Sequence, residues 1–321
     1  MRRTATLFAL LAVVISASPG YAEDAAGASE QGPDTFYVTL QGANAVERQP
    51  DGARWEAGKG MTYVSVSPDG LRVLATSSAE NRIYAYDAAT GTLLQKIEVG
   101  DTPKGIKIGP DGKVAIAANE GAGTLSFIDV DKLTVVKTLA AGDKPHNAAF
   151  SSDGKRAYVT LQGGDAVAVI DVEAMEKVGE IAVGQAPHNA YVSPDDRTLY
   201  VANIGSQDLA IVDIASGEIR GRIPLSLPHY GVDVSPDGNR VYVSGIAGKV
   251  VNVIDPLRGE RIAQIDVGAG PHGLSTEATG KRLYVAVTGT NKVAVVDTAT
   301  GEVIRQVDVG PIPFWIAVAG N

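Results

Sequence analysis

From Tyr37 to the C-terminus, apolar and polar positions alternate in short runs, and no stretch sustains the spacing of an amphipathic helix. One unit shows the pattern. Ala190 to Val192 is a short apolar run that ends at the turn Ser193 to Asp196, and Arg197 to Asn203 is a second run carrying Tyr200 and Val201. Leu209 to Asp213 is a third, and Ala215-Ser216-Gly217 turns into a fourth, Glu218 to Leu225. β-Branched and aromatic residues fill the runs, while Pro, Gly, Asp and Asn fill the breaks, which predicts four short strands joined by tight turns.

The unit repeats. Pro68-Asp69-Gly70, Pro110-Asp111-Gly112, Ser152-Asp153-Gly154, Pro194-Asp195-Asp196, Pro236-Asp237-Gly238 and Ala278-Thr279-Gly280 recur every 42 residues. So do Leu74, Ile116, Tyr158, Tyr200, Tyr242 and Tyr284, and the aspartates Asp87, Asp129, Asp171, Asp213, Asp255 and Asp297. Four strands per unit at this period predict an all-β fold, a β-propeller with four-stranded blades. Trp315 to Val318 matches only a first strand. Asp34 to Val46 matches the second and third, with Tyr37 in the tyrosine column, and Arg54 to Gly58 supplies a fourth. One blade is therefore expected to be assembled from both ends of the chain, making seven and closing the ring. It carries Pro50 where the others have aspartate, so it is the most divergent.

These columns resemble the YVTN family of β-propeller repeats. Tyr200-Val201-Ala202-Asn203 is the closest match to the motif, and Tyr37-Val38-Thr39 and Tyr158-Val159-Thr160 match three of its four positions. Ser235-Pro236-Asp237-Gly238 and Val296-Asp297-Thr298-Ala299-Thr300-Gly301 complete the pattern. The resemblance implies an extracytoplasmic propeller, and it leaves the activity open because one fold hosts many. The family is itself similar to the propellers of nitrous oxide reductase and d1-type nitrite reductases, in which the channel mouth holds copper or haem.

The N-terminus reads differently. Arg2 and Arg3 precede an apolar run from Leu7 to Ile15, and Gly20-Tyr21-Ala22 ends in small residues suited to signal-peptidase cleavage. Residues 1–22 are expected to be a signal peptide, 23–33 a flexible leader, and 34–321 a single propeller domain, periplasmic or secreted after cleavage near Ala22. The formal net charge of −9 becomes −11 without the two arginines, which argues against a general nucleic-acid partner. With no cysteine in the chain, disulfides and thiol chemistry are excluded.

The Pro-Asp-Gly and Thr-Gly turns lie on one face and read as structural. The opposite face gathers the connections between blades, where all four histidines fall: Pro145-His146, Pro187-His188, Pro228-His229 and Pro271-His272. Three are in strict register, and His229 is one position early with Tyr230 in the column. The remaining blades place Thr62, Lys104 and Phe314 there. Converging imidazoles suit a transition metal such as copper, zinc or nickel, so His146, His188, His229 and His272 are candidate ligands. The plainer expectation is that proline and a following polar or aromatic residue open the inner strand, with the ring bonded to a neighbouring backbone. Lys104, Asn147, Asn189, Tyr230 and Phe314 complete a candidate face for a protein partner or small polar ligand. Gln41, Asn44, Glu80, Asn81, Glu120, Gln162, Asp165, Gln207, Asp208, Asn291 and Lys292 surround it on the loops between second and third strands. Lys107 and Asp233 are charges inside inner strands, placed to line the channel.

No nucleophile motif, phosphate-binding loop or haem-attachment sequence is present. The reading that follows is an exported, non-catalytic binding or scaffold protein that uses the histidine-bearing face. Two others stand beside it: a metal- or cofactor-handling redox accessory, and a lactonase or lyase working at the channel mouth.

Overall fold

The computed structural model describes residues 35–225 and 229–320, and of His229 and Tyr230 the backbone alone. Among the described residues all regular structure is strand, arranged as seven antiparallel sheets of four. Six blades are continuous in the chain, at 61–98, 103–140, 145–182, 187–224, 229–266 and 271–308, and are numbered here first to sixth. The seventh is composite. Its inner strand Pro313–Val318 pairs with Phe36–Leu40, followed by Ala45–Gln49 and Ala53–Glu56. The expected signal and leader, residues 1–33, lie outside the described residues. No helix among them is long and apolar enough to cross a membrane.

The core is divided among the joints between blades. Each of seven apolar clusters is shared by two neighbours, as where Tyr158 and Val167 of the third blade meet Leu199, Val201 and Val212 of the fourth. Because each blade contributes to two clusters, the ring must close to cover them all. Val38, Leu40 and Phe36 of the composite blade pack against Tyr284 and Val295 of the sixth. Tyr37, Val46 and Trp55 pack against the first. Burying each such side chain is worth about 1.5–3 kcal/mol, so an open ring would expose several residues at two unpaired joints.

The aspartate columns do the work their positions suggest. Asp69 Oδ1 accepts the N–H of Leu71 at 2.9 Å and Asp87 Oδ1 that of Thr90 at 2.9 Å, closing the turns. Gly70 sits at φ 72°, where a side chain is strained. In the composite blade, where Pro50 replaces the aspartate, the next residue takes over: Asp51 Oδ1 accepts the N–H of Ala53 at 3.4 Å.

The inner strands start earlier than their apolar runs. That of the fourth blade runs Pro187–Val192, beginning three residues before Ala190, with Pro187 opposite Asn203. The reason is a bulge, present in all seven inner strands just after the proline or its equivalent. A bulge re-aims the residues it contains, here the histidine column and the one after it. The hydroxyl of a Tyr-Val-Thr or Tyr-Val-Ser triplet then satisfies the disturbed backbone. Thr160 Oγ1 accepts the N–H of Asn147 at 3.1 Å in its own blade and donates to the His188 carbonyl of the next at 2.9 Å. Thr39 and Ser244 repeat this bond pattern, tying to the carbonyls of Thr62 and His272.

Candidate functional site

The bulge turns the histidines inward. His146, His188 and His272 are 6%, 6% and 2% exposed, so these rings are packed within the end of the channel where the sequence suggested an open mouth. What packs there is set by the next column: Tyr63, Gly105, Asn147, Asn189, Gly231, Gly273 and Trp315. Three glycines leave room, and a Cβ on Gly105 would lie 2.6 Å from the His146 carbonyl. Two aromatics from adjacent blades fill the space. Tyr63 and Trp315 stand 4.2 Å apart between ring centroids, and Tyr63 is 2% exposed.

Tyr63 spans the ring. Its Oη lies 3.1 Å from Nε2 of His146, two blades away, and 3.1 Å from Nδ2 of Asn189, three blades away. His146 Nδ1 meets Glu120 Oε2 at 2.9 Å, Asn189 Nδ2 also reaches His188 Nδ1 at 2.9 Å, and Asn147 Nδ2 donates to Asn189 Oδ1 at 2.5 Å. One assignment uses each of these protons once. Asn189 donates to Tyr63 and His188, Tyr63 donates to His146, and His146 donates to the Glu120 carboxylate. Burial, opposed by the bond to Glu120, holds His146 below the usual imidazole range. Burial works to raise Glu120, but the His146 bond and the charges of His146, Lys104 and Lys144 leave it lowered. A neutral His146 beside an ionised Glu120 follows.

The three candidate histidines whose side chains are described do not form one group. His146 and His188 pack as tilted rings 3.9 Å apart between centroids, whereas His272 packs in the same way on Phe314 at 3.8 Å and bonds to that residue's backbone. Both ring nitrogens of His146 are already in hydrogen bonds. Among the described residues no three His, Cys, Asp or Glu side chains gather as metal ligands. The side chains of His229 and Tyr230 lie outside the described residues. Of the other candidates, Asn147, Lys104 and Phe314 are half-buried, and Asn189 is buried. Several loop residues are committed to the linkers: Asn81, Asp165 and Asn291 accept the N–H of Thr102, Ala186 and Ile312 at 2.9, 2.9 and 3.0 Å.

Beneath Tyr63 and Trp315 the channel opens. A cavity of about 420 Å³ runs to the Pro-Asp-Gly face, where the exposed Pro68, Pro110, Pro194 and Pro236 form its rim. That is within the size range of small-molecule sites. Lys107 and Asp233 line it, as their positions in the sequence suggested, and Tyr191 and Phe150 are the aromatic parts of its wall. Asp233 is 3% exposed and its Oδ2 accepts both the N–H, at 2.5 Å, and the hydroxyl of Thr276. Burial nonetheless pushes its carboxyl up to about 6, with the Thr276 bonds and Lys107 pulling the other way. Burial draws Lys107 down, opposed by Asp233. The Lys107 side chain is walled in by protein while open to the channel space. The sequence signal for the closed end was the column containing Tyr63 and Trp315, one residue beyond the histidines.

The fold has solved counterparts. Hydrazine synthase of Kuenenia stuttgartiensis is 23% identical with a TM-score of 0.72, covering 80% of this chain and 88% of that one. A functionally unknown protein of Desulfotomaculum acetoxidans is 16% identical with a TM-score of 0.76, covering 89% and 99%. Dihydro-heme d1 dehydrogenase NirN, in complex with DHE, is 19% identical with a TM-score of 0.66, covering 86% of this chain and 63% of NirN. At these identities the likeness shows the fold alone. No curated protein matches the sequence significantly. The model of the YNCE-like β-propeller family matches residues 107–193 and 158–279, together more than half of the chain. The chain belongs to the YNCE-like β-propeller family.

Proposed function

We propose that the protein is an exported, non-catalytic binding protein that takes a small polar ligand into its central channel from the Pro-Asp-Gly face. The observation that carries this is the 420 Å³ cavity, closed at one end by Tyr63 and Trp315 and rimmed at the other by exposed prolines. The export half rests on Arg2, Arg3 and the apolar run Leu7 to Ile15. The non-catalytic half rests on His146 and His188, whose nearest polar neighbours hold them in hydrogen bonds away from the cavity. Within the family, the reading of the repeat as one of YVTN type is supported by the Tyr-Val-Thr triplets that stitch the blades.

Native mass spectrometry of protein recovered from its exporting host tests this. A small molecule retained by the wild type is expected to be absent from Ala317→Trp, which fills the channel from a half-buried position in its wall. A ligand retained equally by both proteins would lie elsewhere and overturn the reading.

A further inference from the structure

One column of the inner strands forms a belt around the middle of the cavity. Lys107 occupies it in the second blade and Asp233 in the fifth, with serine, alanine or tyrosine at the other five positions. Three blades is the greatest separation that a ring of seven allows. The two charges therefore stand on opposite walls, each within the other's electrostatic reach.

Neither charge is used up by the protein. Lys107 makes no hydrogen bond or ion pair with any described residue, and its side chain projects into the cavity. Asp233 accepts neutral donors alone, the hydroxyl and N–H of Thr276 on Oδ2 and the backbone of Val234, and no cation among the described residues lies within ion-pair distance of it. The Tyr191 hydroxyl lies on the neighbouring inner strand and feels the Asp233 charge.

The fold does not need these charges. The stitch from a belt side chain to the next blade is made elsewhere by a neutral group: Ser65 Oγ accepts the N–H of Ile108 at 3.1 Å, as Asp233 accepts that of Thr276. Ala149 and Ala317 in the belt show that the position can do without a polar group altogether. Enclosing a cation and a carboxylate that have no ion-pair partner works against stability. Such groups in a cleft mark a site where a ligand supplies what the protein lacks.

We infer that the channel binds a small zwitterion, with the ligand's carboxylate on Lys107, its ammonium on Asp233, and its carbon chain beneath Tyr63 and Trp315. This rests on the channel reading above and adds the ligand's chemistry to it. A lone anion would leave Asp233 without its counter-charge, and a lone cation would leave Lys107 without one. The bridging molecule satisfies both walls, and charge-assisted hydrogen bonds at each end supply the selectivity.

The test is calorimetric titration with ω-amino acids from β-alanine to ε-aminocaproate, with butyrate and butylamine as single-charge controls. At least one amino acid is expected to bind tenfold or more tightly than either control. Lys107→Met and Asp233→Asn should each reduce its affinity to the level of the controls. Lys107→Arg should retain most of it. Asp233→Asn keeps an oxygen for the Thr276 bonds, and thermal midpoints no lower than that of the wild type in these variants would show that the ring is intact. Butyrate or butylamine binding as well as every amino acid would overturn the zwitterion in favour of a simple anion or cation site. Binding undisturbed by Lys107→Met would also overturn it. If no probe binds while a native ligand is still lost from Ala317→Trp, the zwitterion fails and the channel reading survives. If that native ligand is also undisturbed, both fail.

Discussion

The two ends of the channel are built from the same seven strands and have opposite character. At the interblade end, large side chains on consecutive columns converge on the axis, and Tyr63, Trp315, His146, His188 and Asn189 fill it. At the Pro-Asp-Gly end the side chains, among them serines, alanines, prolines, Tyr191, Phe150, Lys107 and Asp233, line the wall, and the axis stays open. The barrel of inner strands thus leaves a tube at both ends, and the side chains decide which end is filled. Histidine serves as a packing residue in one and is absent from the other.

The sharpest way to break this contrast is to empty the filled end. Tyr63→Ala removes a 2% exposed ring together with its hydrogen bonds to His146 and Asn189. A loss of about 4 kcal/mol in unfolding free energy is expected from denaturant titration. A loss below about 1 kcal/mol would mean that the plug is not part of the core.

Acid separates the two ends by sign. Burial, then the charge of His146, pushes His272 down to about 3, against a weaker opposing bond from Phe314. Its neutral form is the folded one. The stability it supports is present above about pH 6.5 and is lost as pH falls toward 3, by about 3 kcal/mol at pH 4. His272→Phe keeps a ring against Phe314 and should flatten that loss. Asp233 runs the other way because its carboxyl is raised to about 6. Its contribution is present below about pH 4 and lost as pH rises through 6. Asp233→Asn should therefore gain on the wild type across that window, by about 2 kcal/mol. Midpoints measured from pH 4 to 8 check both, and parallel curves for either variant would contradict the assignment.

Much of the architecture was legible from the chain because the period is uninterrupted: equivalent residues stay 42 apart through six units, so turn, tyrosine and aspartate columns could be aligned. Lys107 and Asp233 were also visible as channel residues, since a charge in the middle of an inner strand has only the axis to face. The closed end was not. Placing Pro-His at a junction suggested rings at an open mouth, but the bulge that follows each junction redirects them, and a bulge is a property of pairing between strands rather than of one strand's composition. Loop polarity misled for a related reason. Asn81, Asp165 and Asn291 look like free ligand groups in sequence, and each is spent on the backbone of a linker about 20 residues further along. The informative signal was the column of Tyr63, Trp315 and three glycines, where two neighbouring large side chains share one ring with three absent ones.

The absence of cysteine permits a direct test of the contrast between the two ends. Lys107→Cys places a thiol in the open cavity, and His272→Cys places one in the packed end. With a small methanethiosulfonate reagent on the native protein, Lys107→Cys is expected to label at least a hundredfold faster, and His272→Cys only when the protein is unfolded. Equal rates, or faster labelling at position 272, would contradict the account.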